Sequence, residues 1–308
     1  MNAFPDKTIP EPEQNEPGER QTQAQDLSAP ADANSSTPSV VTLYSAKSGT
    51  DLADHQVEPT LAGALRDPAW SGFDVLRLAF LAIVALFIGV FTVLFAAHLW
   101  IRPHSSIASL SRLPLTVVAG QALAYLLVLA YMYVLVTRER GRPDFLSALH
   151  WNWPRNIAPY LASGAALSLA LQWLAHVLPM PKNLPIDIFF RTQAEAWALT
   201  VFGVTLAPLM EELFFRGFLY PVLARGIGFT AAIFVTAFAF ALLHGAQLMF
   251  SWGPVLVIFL VGVVLTMVRA YKNSVAAGLL IHIAYNGTIS ALMFVATDGF
   301  RHLEKLNQ

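Results

Sequence analysis

The sequence predicts an all-α integral membrane protein, a polytopic bundle of about seven transmembrane helices behind a disordered N-terminal tail. Composition and segment length carry that prediction. Of 308 residues, 56% are hydrophobic and only 13% charged, against roughly 25% charged in soluble domains. The apolar residues are gathered into stretches near the ~20 residues that cross a bilayer as a helix. The domain reading is a polar tail over residues 1–68 and a helical bundle over 69–300.

Each segment has its own reason. The tail is rich in Pro, Glu, Gln, Ser and Ala, as in EPEQNEPGERQTQAQD, and buries too little apolar surface to offset its ordering entropy. It lacks the basic-then-apolar start of a signal peptide. The expected spans are 76–99, 114–137, 157–178, 197–220, 229–250, 253–270 and 274–296. Pro208, Pro221, Gly226 and Gly228 interrupt the fourth and fifth. Trp70, Trp100, Trp151, Trp153, Trp197 and Trp252 fall near span ends, the pattern of an aromatic belt.

Charge and cysteine exclude several classes. Nineteen basic against 20 acidic residues leave a net charge of -1, so no basic excess points to nucleic acid. Cysteine is absent, which removes disulfides, thiolate zinc sites, iron–sulfur clusters and a cysteine nucleophile. With the tail inside, ten basic residues fall in inner loops and six in outer segments. That count, led by the cluster from Arg138 to Arg142, places the N-terminus in the cytoplasm and the protein in the plasma or inner membrane.

An ionisable group inside the bilayer is costly and therefore marks function. The fourth span holds Glu211, Glu212 and Arg216, the fifth His244, and the seventh His282 with Asn286. His98 and His176 sit at span ends, where an interfacial imidazole suffices. Glu212 and Arg216, four apart, can pair along one helix face, leaving Glu211 about 100° around the helix to face elsewhere. His282 and Asn286 share a stripe. A carboxylate, two imidazoles and an amide can activate water and stabilise an oxyanion. Glu211, His244 and His282 are also a candidate zinc triad with an open position, although HExxH is absent. Both alternatives are hydrolytic. Gly226-x-Gly228-x-x-Ala231 mimics a dinucleotide fingerprint but follows no strand.

The sequence here resembles the CPBP (CAAX protease and bacteriocin-processing, or Abi) intramembrane protease family, including type II CAAX prenyl endopeptidases. EExxxR appears as Glu211-Glu212-Leu213-Phe214-Phe215-Arg216, FxxxH as Phe240-Ala241-Leu242-Leu243-His244, and HxxxN as His282-Ile283-Ala284-Tyr285-Asn286. The likeness covers about residues 195–296. It implies an endopeptidase acting on membrane-associated peptide or lipidated protein substrates, of the CAAX or bacteriocin kind, with membrane lipid around it. By motif position Glu211 is the base and His244 its partner. His282 and Asn286 are the oxyanion stabilisers, and Glu212 and Arg216 a structural pair. A metal-free reading is preferred, with no cofactor required and zinc as the alternative. An inert scaffold or immunity protein is the competing reading, and a transporter a weaker one, since no internal repeat is found.

The spans also carry a conflict. Measured from span midpoints, Glu211 and His244 differ in depth by roughly 10 Å. The expectation is that the fifth helix starts later, after a re-entrant connection, or is strongly tilted.

Overall fold

A computed structural model describes residues 68–181 and 190–307, all within the compact unit Val57–Gln308. The expected tail lies outside the described residues except for Pro68. Every regular element among the described residues is helical.

Local sequence sets the helix ends. Helix α1 is Gly72–Ala96, opened by a reciprocal Ser71–Asp74 capping box that satisfies two otherwise orphaned amides. Helix α2 is Pro114–Val134, with proline in its first turn, where a missing N–H costs nothing. Helix α3 is Ala158–Ala175. Helix α4 is Gln193–Val204, capped by Thr192 and Glu195, and α5 is Leu206–Glu211. The break between them follows from Pro208, whose ring nitrogen cannot donate to the carbonyl four residues back, that of Val204. From Glu212 to Leu219 the coil widens to an i→i+5 pattern, a feature frequent at functional sites. Helix α6, Tyr220–Ile227, ends at Gly228, whose φ of 83° suits glycine. Gly228 is thus a turn residue between helices and no part of a nucleotide loop. Helices α7 (Phe229–His244), α8 (Trp252–Lys272) and α9 (Val275–Ala296) complete the bundle.

Six segments are long and apolar enough to cross a membrane: Gly72–Ile101, Pro114–Glu139, Gln193–Ile227, Phe229–Leu248, Trp252–Lys272 and Val275–Ala296. The expected span 157–178 is not among them. It contributes only the 18 residues of α3, and Pro159, Ser163, Ser168 and Gln172 dilute its apolar run. At ~1.5 Å per residue α3 reaches roughly 27 Å, just short of the hydrocarbon core.

Two cores hold the bundle. One joins α1 and α2 to Met210, Leu213 and Phe218; the other gathers Leu171, Phe215, Phe240, Leu265, Ile281 and Tyr285 from the remaining long helices. Large side chains such as Phe91 and Phe238 stand outward, more than half exposed, as surface facing lipid does. Trp100, Trp153, Trp197 and Trp252 are likewise exposed. Trp70 is not in a belt: it is buried, packs on the Phe218 ring at 4.7 Å and donates its indole N–H to the Phe218 carbonyl. Two residues counted as inner-loop charges, Arg216 and Arg269, are also buried. Without them the inside excess of basic residues narrows.

Candidate functional site

The site forms where the long broken segment of α4–α6 meets α7 and α9. Placement of α9 depends on close approach. A Cβ at Gly164 of α3 would lie 2.3 Å from the Ile281 carbonyl, so only glycine lets α9 come this near, as small residues do in membrane bundles. Within α9, a Cβ at Gly278 would lie 2.7 Å from Glu212 Oε2.

Glu211, Glu212, Arg216, His244 and His282 converge. His244 Nε2 lies 3.8 Å from Glu211 Oε1 and His282 Nε2 lies 3.6 Å from Glu211 Oε2. Both separations exceed a direct hydrogen bond. His244 places Nδ1 2.9 Å from the Phe240 carbonyl. A carbonyl only accepts, so Nδ1 carries the proton and Nε2 of the neutral ring presents its lone pair to Glu211. The expected difference in depth does not keep the two residues apart, as the 3.8 Å separation shows. A later start of the fifth helix is not the reason, since α7 begins at Phe229; the fourth segment is longer than expected, 35 residues over Gln193–Ile227, with Glu211 near its middle.

Glu212 has a second partner that spacing along one helix could not reveal. Its Oε1 accepts from Arg216 Nη1 at 2.9 Å and meets His282 Nδ1 at 2.9 Å. Arg216 also donates from Nη2 to the Gly262 carbonyl and from Nε to Thr266 Oγ1, and its guanidinium lies 4.7 Å over the Phe240 ring. Arg216 and Glu212 are wholly buried, and these bonds replace part of the water both groups gave up; Glu212 Oε2 is buried without a hydrogen-bond partner. Arg269 was absent from the sequence reading of the site; it donates from Nε to the Arg216 carbonyl and from Nη1 to Asn273 Oδ1. Phe240 supports the site twice, with its carbonyl on His244 and its ring 4.8 Å from His244 and 5.8 Å from His282. The i, i+4 spacing of FxxxH is the signal for that packing.

Asn286 stands one turn beyond His282 on α9. Its amide donates to the Gly203 carbonyl at 2.7 Å, at the last turn of α4 before the Pro208 break. The second amide hydrogen is not engaged by that bond.

A carboxylate and two imidazole nitrogens are the donor chemistry that zinc takes, and the carbonyl and carboxylate on the two Nδ1 atoms are partners usual beyond zinc ligands. Each imidazole, however, faces a different oxygen of Glu211. Among the described residues no group of three His, Asp or Glu side chains is arranged to hold an ion.

No curated protein and no solved structure matches the chain. A family model does: residues 193–288 match the family described as type II CAAX prenyl endopeptidase Rce1-like. The matched segment contains all three motifs and every side chain of the converging cluster, so the resemblance carried by Glu211, His244 and His282 is to this family.

Proposed function

We propose that the chain is an intramembrane endopeptidase that hydrolyses a peptide bond near the C-terminus of prenylated, CAAX-type substrates with water activated by Glu211 and His244. The observation that supports this best is the approach of His244 and His282, from two different helices, to the two oxygens of one carboxylate. At 3.6 and 3.8 Å neither imidazole is bonded directly to Glu211, so the carboxylate is left to accept from a substrate water. In this mechanism Glu211 accepts a proton from water as the oxygen attacks the scissile carbonyl carbon. The lone pair of His244 Nε2 orients the same water, and the proton passes to the leaving amine.

In this reading His282 serves the oxyanion. Its Nδ1–H is committed to Glu212, so it can donate from Nε2 only as the imidazolium. Imidazolium Nε2–H and the second amide hydrogen of Asn286 then hold the oxyanion of the tetrahedral intermediate. Glu212 is therefore a positioning residue for His282 as well as the counter-charge of Arg216. No metal is needed for any step.

The test is cleavage of a farnesylated CAAX peptide by the purified full-length chain. Wild type should release the C-terminal tripeptide, and Glu211→Gln and His244→Ala should not, with melting temperatures unchanged. Full activity in Glu211→Gln would remove the proposal. For orientation we propose a cytoplasmic N-terminus. In this cysteine-free chain, a cysteine at His104 should be labelled from outside the cell and one at Arg142 should not; the reverse pattern inverts the topology.

A further inference from the structure

We propose that a groove between α3 and α8, on the lipid-facing side of α9, binds an anionic phospholipid of the surrounding membrane. The groove has a volume of about 660 Å³ and is lined by residues of both helices with Ile281 of α9 among them. That volume lies within the ~300–1,000 Å³ usual for small-molecule sites. Its two ends differ chemically. Arg155 and Lys272 stand at one end, both exposed, and neither is in an ion pair among the described residues. Away from them the lining is mainly apolar, with Val264 and Met267 of α8 and Tyr160 of α3; Ser163 also lines it, its hydroxyl bonded to the Pro159 carbonyl. Val264, Met267 and Tyr271 recur at helical spacing along one stripe of α8, so the groove runs along the helix for about 10 Å.

A basic mouth continuing into an apolar trough that follows two helices is the shape of a phospholipid, with its phosphate at Arg155 and Lys272 and an acyl chain along α8. Two cations without counter-charge select an anionic headgroup over a zwitterionic one. A soluble anion would use the mouth and leave the trough unused, and a neutral lipid would leave both cations unpaired. The occupant would pack against Ile281, the neighbour of His282. The groove holds none of the residues assigned to catalysis, so the proposal stands apart from the peptidase reading.

The experiment measures lipids retained by the full-length chain in detergent, by native mass spectrometry and thermal shift, with phosphatidylglycerol and phosphatidylcholine as probes. Basic residues near an anionic surface contribute roughly fivefold each, so wild type should prefer phosphatidylglycerol by about 25-fold. Arg155→Gln/Lys272→Gln should bind both lipids equally, with cleavage by the detergent-solubilised protein unchanged. Met267→Trp, which fills the trough, should weaken both; if it does not elute as a single species, the double variant alone decides. Equal binding of the two lipids by wild type, or an intact preference in the double variant, would overturn the proposal. Displacement of phosphatidylglycerol by a farnesylated peptide, with KM raised in Met267→Trp for that peptide but not its unprenylated form, would assign the groove to the substrate's chain and overturn it equally.

Discussion

The α1–α2 pair and the α4–α9 region both contain charged residues, but use them in opposite ways. In the pair, charge stays at the helix ends: Asp74 caps α1 and meets Arg140, and Arg77 holds Glu139 through two bonds of 2.7 and 3.0 Å. Between those ends the two helices pack through apolar side chains and the close approach of Gly89 to Gly120. In the second region, Glu212 and Arg216 are wholly buried and bonded to groups on two further helices. Charge at a helix end can turn to water when its partner is lost. Charge inside the bundle cannot, so its partners must all be present together.

The largest expected effect breaks the chemistry alone. Glu211→Gln should lower turnover by about 10²–10⁴, the range for a general acid–base group, at unchanged melting temperature. Glu212→Gln should lower both, because it leaves Arg216 without its counter-charge at a cost of about 3–5 kcal/mol and releases His282. Turnover loss in Glu212→Gln without any fall in melting temperature would show that the buried pair contributes no stability. Asn286→Ala should reduce kcat by about 10²–10³, as loss of one oxyanion donor does, read by steady-state kinetics. Arg77→Ala sharpens the contrast from the other side. This exposed, solvent-screened pair should contribute little, so the melting temperature should barely move and the cleavage rate should be unchanged. The smallest effect expected is that of thorough chelation, which should leave activity within error. Stoichiometric zinc, with activity lost on stripping and restored on its return, would establish the metalloenzyme instead.

Much of the cluster was legible because buried polarity is costly and therefore rare. With the apolar spans drawn, Glu211, Glu212, Arg216, His244 and His282 are the ionisable groups in the interiors of three of them, with Asn286 one turn after His282. What remained hidden depended on contacts between helices. The i, i+4 spacing satisfied Glu212 with Arg216, and nothing along the chain announced His282 as a second partner. Arg269 looked like a loop charge because it lies near a span end, yet its bond to the Arg216 carbonyl buries it. Pro208 signalled an interruption, but the length of the broken segment and the widened coil after Glu211 have no compositional mark. Trp70 shows the same limit: a tryptophan at a span end suits a belt or a plug, and only Phe218 decides between them.

The bond from Asn286 to Gly203 works as a clutch. The arm Gln193–Val204 joins the rest of its segment through the interruption at Thr205, and Asn286 of α9 grips it one residue before its last. Arm position and amide orientation are therefore one mechanical variable. If the arm swings away by more than a hydrogen-bond length, the amide is released to turn; while it is engaged, the amide is aimed. Under the role proposed for Asn286, a substrate that seats the arm would also aim the oxyanion donor, and a ligand that prised the arm loose would release it.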